Sequence, residues 1–215
     1  MLFQFDYKKA MMTYLTEKYP DDTFHFINIG TETFGSSHVE MIASSDKFPN
    51  PEYYIHVRMT RKTHEITENY IEFYFREQAI AHIRSFVESI YGPCRIRSNI
   101  SGTGLLLSDL SPDMEVSEYL RNAKNTPYCI LDFKIHTTKD PSSKDEDLES
   151  LRQALASQEY RLGLSFSYVK ELYEEPDMMN EIQARQWMLE NCILQGVFTM
   201  DDNYMFKSQN WREYN

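Results

Sequence analysis

The stretch Tyr53-Tyr54-Ile55-His56-Val57-Arg58-Met59-Thr60 decides the fold class. Apolar and polar side chains alternate along it, so the apolar ones share one face of a half-buried β-strand. A strand that is apolar on a single face is typical of an antiparallel sheet with one solvated side. Residues 23–29 and 38–43 have related patterns, and turn-forming residues separate the stretches. We therefore predict an antiparallel meander.

Helices are predicted on both sides of this meander. Residues 6–19 place apolar side chains at the spacing of one helical face, with Asp6 as a capping residue. A fourth strand is expected at residues 66–75, followed by a helix at 77–91 that Gly92-Pro93 ends. The N-terminal part is thus expected to be a helix, a meander and a second helix.

The second half of the chain predicts strands that alternate with helices. A short helix is expected first, where Ser111-Pro112 supplies an N-cap and a proline at the first helical position. The expected elements after it are strand 128–137, helix 145–158, strand 161–170, helix 179–192 and strands 193–200 and 204–211. The fold class is therefore α+β, with a mixed β-α-β-α-β-β second part. We expect one part at 1–97, a connector at 98–113 and a second part at 114–215, packed on the first.

The charge and cysteine content exclude several classes of protein. There are 22 Lys+Arg against 33 Asp+Glu, a formal net charge of −11, which disfavours broad nucleic-acid binding because phosphates are repelled. Cys94, Cys129 and Cys192 are too far apart to suggest a disulfide framework or a zinc ribbon. No signal-peptide pattern opens the chain, and no apolar run approaches the ~18–20 residues of a membrane span. A cytoplasmic location is expected, with export as the alternative if a signal segment is missing.

The familiar catalytic motifs are incomplete. The run His64-Glu65-Ile66-Thr67-Glu68 lacks the second histidine of a zinc protease helix and lies where a turn into a strand is predicted. The run Gly163-Leu164-Ser165-Phe166-Ser167 lacks the last glycine of a nucleophile elbow. The run Ser101-Gly102-Thr103-Gly104 has no Lys-Ser/Thr after it, so it does not form a phosphate loop. We expect no cofactor and no metal.

Residues 53–76 are the best candidate for a contact surface, because basic groups there are interleaved with aromatic rings. The chain has 13 Phe, 15 Tyr and 2 Trp, more rings than two small cores seem to require. We therefore expect a noncatalytic binding or assembly protein with a protein partner or self-association. The candidate binding residues are Tyr54, His56, Arg58, Arg61, Lys62, Tyr70 and Tyr74.

Three alternatives stay open at this stage. The rings of residues 53–76 can be core residues whose charged neighbours only face water. The same basic groups can hold phosphates locally while the rings stack on bases. A hydrolase site can also be dispersed over the fold at the junction of the two halves, near residues 102–108.

The first ~95 residues resemble a group of uncharacterised small α+β proteins of Gram-positive bacteria. The resemblance covers less than half of the chain and is carried by three runs: Tyr14-Leu15-Thr16-Glu17-Lys18-Tyr19 at the end of the first helix, Glu68-Asn69-Tyr70, and Tyr91-Gly92 at the end of the next helix. It implies a compact helix, meander and helix, and it supplies no catalytic residue. It favours a noncatalytic or uncharacterised role.

Overall fold

The computed structural model describes residues 5–30, 36–49, 54–99, 110–122, 131–172, 181–207 and 210–214. Its helices and two sheets form an α+β fold, as predicted. The chain divides into two compact units, one of Met1–Arg76 with Ser101–Glu115 and one of Glu77–Ile100 with Val116–Asn215. Most of the connector expected at 98–113 lies outside the described residues, since these omit 100–109. The expected boundaries at 97 and 113 therefore stay predictions.

The first unit is built on the predicted meander. Helix α1 begins after Asp6, whose carboxylate accepts a hydrogen bond from the amide of Lys9 at 3.0 Å. Four strands follow in an antiparallel sheet with the order β1-β2-β3-β4. Met11 and Leu15 of α1 are fully buried, and α1 contacts β1, β2 and β3. The elements are α1 Tyr7–Lys18, β1 Phe24–Ile29, β2 His38–Ser45, β3 Ile55–Thr60 and β4 Ile66–Glu68.

The strand predicted at residues 66–75 is wrong beyond Glu68. Strand β4 ends there, and helix α2 extends over Tyr70–Tyr91, so it begins seven residues before the predicted helix. The carboxylate of Glu68 explains the early start, because it accepts a hydrogen bond from the amide of Ile71 at 3.1 Å, in the first turn of α2. The aromatic residues that favoured a strand therefore belong to a helix, and Tyr70, Phe73 and Phe75 among them are buried.

The second unit contains a five-stranded sheet with the order β5-β6-β7-β8-β9. Strands β6 and β7 are parallel and the other neighbours are antiparallel. Helix α4 lies between β6 and β7 in the chain, as a parallel crossover requires. The elements are β5 Cys94–Asn99, α3 Val116–Asn122, β6 Asp132–Thr137, a 3-10 turn Pro141–Ser143, α4 Lys144–Ser157, β7 Gly163–Val169, α5 Glu181–Asn191, β8 Cys192–Thr199 and β9 Asn210–Glu213.

The predicted β-α-β-α-β-β order is confirmed, but three details differ. The short helix expected to open at Ser111-Pro112 begins only at Val116. Strand β5 was not predicted; it pairs with β6 and begins directly after Gly92-Pro93. The last strand was predicted at 204–211, but β9 begins at Asn210, and only a bridge between Met200 and Phe206 precedes it. Leu148, Leu151 and Leu155 of α4 are buried as expected. None of the helices within the described residues has the length and apolar composition of a membrane span.

Candidate functional site

One face of the first sheet carries the predicted strand residues. We define the open face as Glu40, Tyr54, His56 and Arg58, none of which is buried. The register places Arg58 directly opposite Glu40. The Glu40 carboxylate lies 3.2 Å from His56 Nδ1 and 3.8 Å from Arg58 Nη2. The alternation of β3 thus directs His56 and Arg58 away from the buried Ile55, Val57 and Met59, as predicted.

Arg58 and Tyr54 are the available groups of the open face. The 3.8 Å between Arg58 and Glu40 is too long for a hydrogen bond, and the guanidinium makes none with any other described residue. Tyr54 is 41% exposed, and its side chain has no polar or ring partner within the described part of the chain. Its carbonyl oxygen accepts from the Asn69 amide at 3.4 Å, which fixes the backbone. An arginine on β3 and a tyrosine on the residue directly before β3 are therefore presented on the same face.

Arg61 and Lys62 lie in the turn after β3. The amide of Arg61 donates to the carbonyl of Ser37 at 2.9 Å, and its guanidinium lies 5.6 Å from the centre of the Tyr7 ring. Lys62 is exposed. Residues 54–62 contain Arg58, Arg61 and Lys62 and no acid, so this stretch is basic in an acidic chain, with Glu40 of the neighbouring strand opposite Arg58.

Tyr70 and Tyr74 are not part of the open face. Tyr70 is fully buried, and its hydroxyl donates to Asp22 Oδ2 at 2.7 Å and lies 3.0 Å from Ser45 Oγ. The Tyr74 ring packs 5.7 Å from that of Tyr19. Both tyrosines belong to α2, so the surface expected over residues 53–76 separates into an open strand and a buried helix face.

A buried charged cluster lies beside this helix start. We call Tyr14, Lys18, Tyr19 and Glu68 the Glu68 cluster. Glu68 is fully buried, and its Oε1 accepts from Lys18 Nζ at 2.8 Å and from the Tyr19 hydroxyl at 2.7 Å. Lys18 Nζ also donates to the Tyr14 hydroxyl at 3.2 Å. Burial, the largest single effect, lowers the pKa of Lys18, but Glu68 and the Tyr14 hydroxyl together outweigh it, so the net shift is upward.

A cleft of about 510 Å³ opens over the Glu68 cluster, and we call it the α1 cleft. Tyr14, Glu17 and Lys18 line it from α1, and the segment Leu110–Asp113 lines it from the same unit. A neighbouring cleft of about 480 Å³ shares Tyr14 and Glu17 and reaches Phe5 and Ile66. The sequence did not predict either cleft, because Lys18 was assigned only an aliphatic stem on the α1 face.

The other motifs are accounted for without a catalytic constellation in the described residues. The run from His64 is a turn into β4, as predicted, and its Glu68 is bound by Lys18. Ser165 and Ser167 lie within β7, not at a strand-to-helix turn. The described ranges contain no group of His, Cys, Asp and Glu side chains that is suited to a metal ion. Residues 102–108, where a hydrolase site was considered, lie outside the described residues, and that site stays a prediction.

The comparisons with known proteins give one distant structural neighbour. No family model matches the chain, and no curated protein matches it. The crystal structure of a DUF5037 family protein from Ruminococcus gnavus ATCC 29149 is similar, with a TM-score of 0.43, 11% identity and coverage of 94% of this chain and 95% of that one.

Proposed function

We propose that this chain is a noncatalytic binding protein whose open face docks an acidic segment of a partner protein. The observation that carries the proposal is the Arg58 guanidinium, half exposed at the middle of β3 and without a hydrogen bond to any described residue. Arginine and tyrosine dominate the binding energy of protein interfaces. Tyr54 supplies the tyrosine on the same face.

The charge near the open face favours a carboxylate-bearing partner. Arg58, Arg61 and Lys62 lie within one strand and its turn, and Glu40 is the acid that faces Arg58. A guanidinium binds a carboxylate through two parallel hydrogen bonds, and that geometry favours an Asp or Glu side chain of the partner. Glu40 Oε1 lies 3.2 Å from His56, and its Oε2 lies 3.8 Å from Arg58 Nη2, an ion pair without a hydrogen bond, so the Nη groups of Arg58 keep their hydrogen-bonding capacity for the incoming carboxylate.

A nucleic acid fits this face less well than an acidic protein segment. The chain has a formal net charge of −11, and Glu40 lies in the middle of the face, so a long polyphosphate meets repulsion along most of its length. A short acidic segment needs only one carboxylate at Arg58, so it meets the repulsion of Glu40 over a much shorter length. An extended peptide also presents apolar side chains to the Tyr54 ring.

The experiment uses a fluorescent Glu- and Tyr-rich peptide, the same peptide with Lys in place of Glu, and single-stranded DNA of equal formal charge. We expect the acidic peptide to bind and the lysine peptide not to bind. In ¹⁵N-labelled protein, the shifted amides should lie at residues 38–44 and 54–62. Arg58→Ala and Tyr54→Ala should each weaken binding about tenfold, as hot-spot truncations do.

Arg84→Ala is the matched control, because the Arg84 side chain is 41% exposed against 36% for Arg58 and forms an ordinary helix pair with Glu88. It should leave binding unchanged. Peptide binding that survives Arg58→Ala overturns the proposal. Stronger, salt-sensitive binding of the DNA would replace it with nucleic-acid recognition, and a dimer that Arg58→Ala dissociates in sedimentation would replace it with self-association.

A further inference from the structure

The floor of the α1 cleft presents two uncommitted hydrogen-bond donors. An ammonium has three N–H groups, and Lys18 uses one on Glu68 and one on Tyr14, so its third has no partner among the described residues. The Tyr14 oxygen accepts from Lys18, which leaves its own O–H free to donate. Both side chains line the cleft, and their polar atoms are 3.2 Å apart.

These donors keep their protons at neutral pH. The pKa of Tyr14 is raised, chiefly by burial. The pKa of Lys18 is also raised, because Glu68 and Tyr14 together outweigh the effect of burial. The Lys18 side chain is only 12% exposed, so its position is fixed by packing as well as by these hydrogen bonds. The floor of the cleft is therefore pre-organised to bind oxygen acceptors.

The rim of the cleft presents two acceptors. Glu17 and Asp113 are exposed, and neither carboxylate has an ion pair or hydrogen bond with a described residue. Glu68 already balances the charge of Lys18, so Glu17 and Asp113 give the cleft a net negative charge. A cationic group is favoured at the rim, and a carboxylate or phosphate is repelled there.

We infer that the α1 cleft binds a small cationic ligand that carries several hydroxyl groups, of which an amino sugar is the simplest example. The ammonium of such a ligand lies at Glu17 and Asp113, and its hydroxyl oxygens accept from Tyr14 and Lys18. The ring of Tyr14 and the apolar side chains of Leu110 and Pro112 provide its apolar contacts. A volume of about 510 Å³ lies within the range of small-molecule sites.

This site is separate from the open face and does not depend on the function proposed for it. The two share no residue. The neighbouring cleft shares Tyr14 and Glu17 and adds Phe5 and Ile66, so it extends the same surface along α1. A ligand longer than a single sugar has an apolar continuation there.

The test compares three sugars of similar size with different charge: glucosamine, glucose and glucuronate. Each is titrated into the ¹⁵N-labelled chain at a pH at which the glucosamine amine is protonated. We expect glucosamine to shift the amides of residues 14–18 and 110–113, with a Kd on the order of millimolar for so small a ligand. Glucose should bind about tenfold more weakly, because it lacks the charge-assisted contacts, and glucuronate should not bind.

Variants at the floor and at the rim separate the two halves of the proposal. Glu17→Gln with Asp113→Asn should weaken glucosamine binding about tenfold and leave glucose binding unchanged. Tyr14→Phe should weaken the binding of both sugars, because it removes a floor donor and keeps the ring. Glu213→Gln makes the same change in charge as Glu17→Gln at an exposed position that does not line the cleft, and it should have no effect. Arg58→Ala should also leave glucosamine binding unchanged.

Lys18→Met is not used here, because it leaves the buried Glu68 without its counter-ion. Four outcomes overturn the proposal: equal affinity for glucose and glucosamine, a preference for glucuronate, glucosamine binding that survives the rim double variant, or no shift with any sugar. Circular dichroism of each variant establishes that it is folded before its titration is interpreted.

Discussion

Removing the Glu68 carboxylate should destabilise the first unit more than any exposed substitution. The carboxylate is fully buried and accepts hydrogen bonds from Lys18, Tyr19 and the amide of Ile71. In Glu68→Ala the Lys18 ammonium, 12% exposed, loses its counter-ion, at a cost of about 3–5 kcal/mol. The loss of the hydrogen bond at the start of α2 adds about 1 kcal/mol. We expect a total of ~4–6 kcal/mol, comparable with the whole stability of a small domain.

Glu68→Gln keeps an oxygen at the same place and should cost about 1–3 kcal/mol. Because Trp187 and Trp211 both belong to the second unit, fluorescence does not report this change. The measurement is therefore amide hydrogen exchange at β3, whose Val57 and Met59 lie in the core of the first unit, together with denaturant unfolding followed by circular dichroism. Both experiments give the free energy of unfolding for each variant.

A double-mutant cycle distinguishes a buried ion pair from simple packing. Lys18→Met combined with Glu68→Gln removes both charges. The double variant should therefore lose less free energy of unfolding than the sum of the losses of the two single variants, and the difference should be about 0.5–3 kcal/mol. Additivity within ~0.3 kcal/mol would refute the argument, because each residue would then act independently of the other. A decrease of less than about 1 kcal/mol in the free energy of unfolding of Glu68→Ala would also refute the buried ion pair.

Two further perturbations concern the second unit. Burial, together with the charges of Arg97 and Lys134, lowers the pKa of His136 to about 4. The unfolded chain binds this proton near pH 6.5, so the stabilisation is complete above ~6.5 and is lost as the pH falls to about 4, a change of ~3 kcal/mol in the free energy of unfolding. In His136→Gln the free energy of unfolding should therefore depend less on pH between 4 and ~6.5. An NMR titration that shows the His136 ring protonating near pH 6.5 would contradict this. Gly196→Ala should cost about 1–3 kcal/mol, measured by tryptophan fluorescence, because its Cβ would lie 2.6 Å from the rings of Phe198 and Trp211. Gly30→Ala lies in the first unit and is measured by denaturant unfolding followed by circular dichroism. It should leave stability nearly unchanged, because among the described residues its Cβ meets only the Glu40 carbonyl at 3.5 Å. Equal losses for the two variants would refute the steric argument.

The parts of the fold that depend on local periodicity could be predicted from the sequence. The alternation along β3 gave its buried and open faces, and the apolar spacing of α4 gave its buried leucines. The boundary between β4 and α2 could not be predicted in this way. Tyr70, Phe73 and Phe75 have high β-propensity, yet the residue that starts the helix is Glu68, whose partners Lys18 and Tyr19 are about 50 positions away. Long-range contacts therefore overrode local preference.

Strand β5 was also missed because it depends on a long-range contact. Cys94 and Ile96 alternate with Arg95 and Arg97, so the pattern of a half-buried strand was present. Its partner β6 is more than 30 residues away, and nothing local indicates that pairing. The candidate site was predictable to a similar degree: the open-face residues follow from alternation, whereas the α1 cleft depends on Leu110–Asp113 lying beside α1.

The abundance of aromatic rings has a structural explanation that changes where a binding surface should be sought. Tyr19 and Tyr70 place their rings in the core of the first unit, and their hydroxyls donate to the acids Glu68 and Asp22. Tyrosine thus fills core volume and also gives each carboxylate a hydroxyl donor, which phenylalanine would not supply. Dense rings in the sequence are consequently poor evidence for a contact surface in this chain. Tyr54, exposed and without a side-chain partner among the described residues, is stronger evidence because no core contact accounts for it.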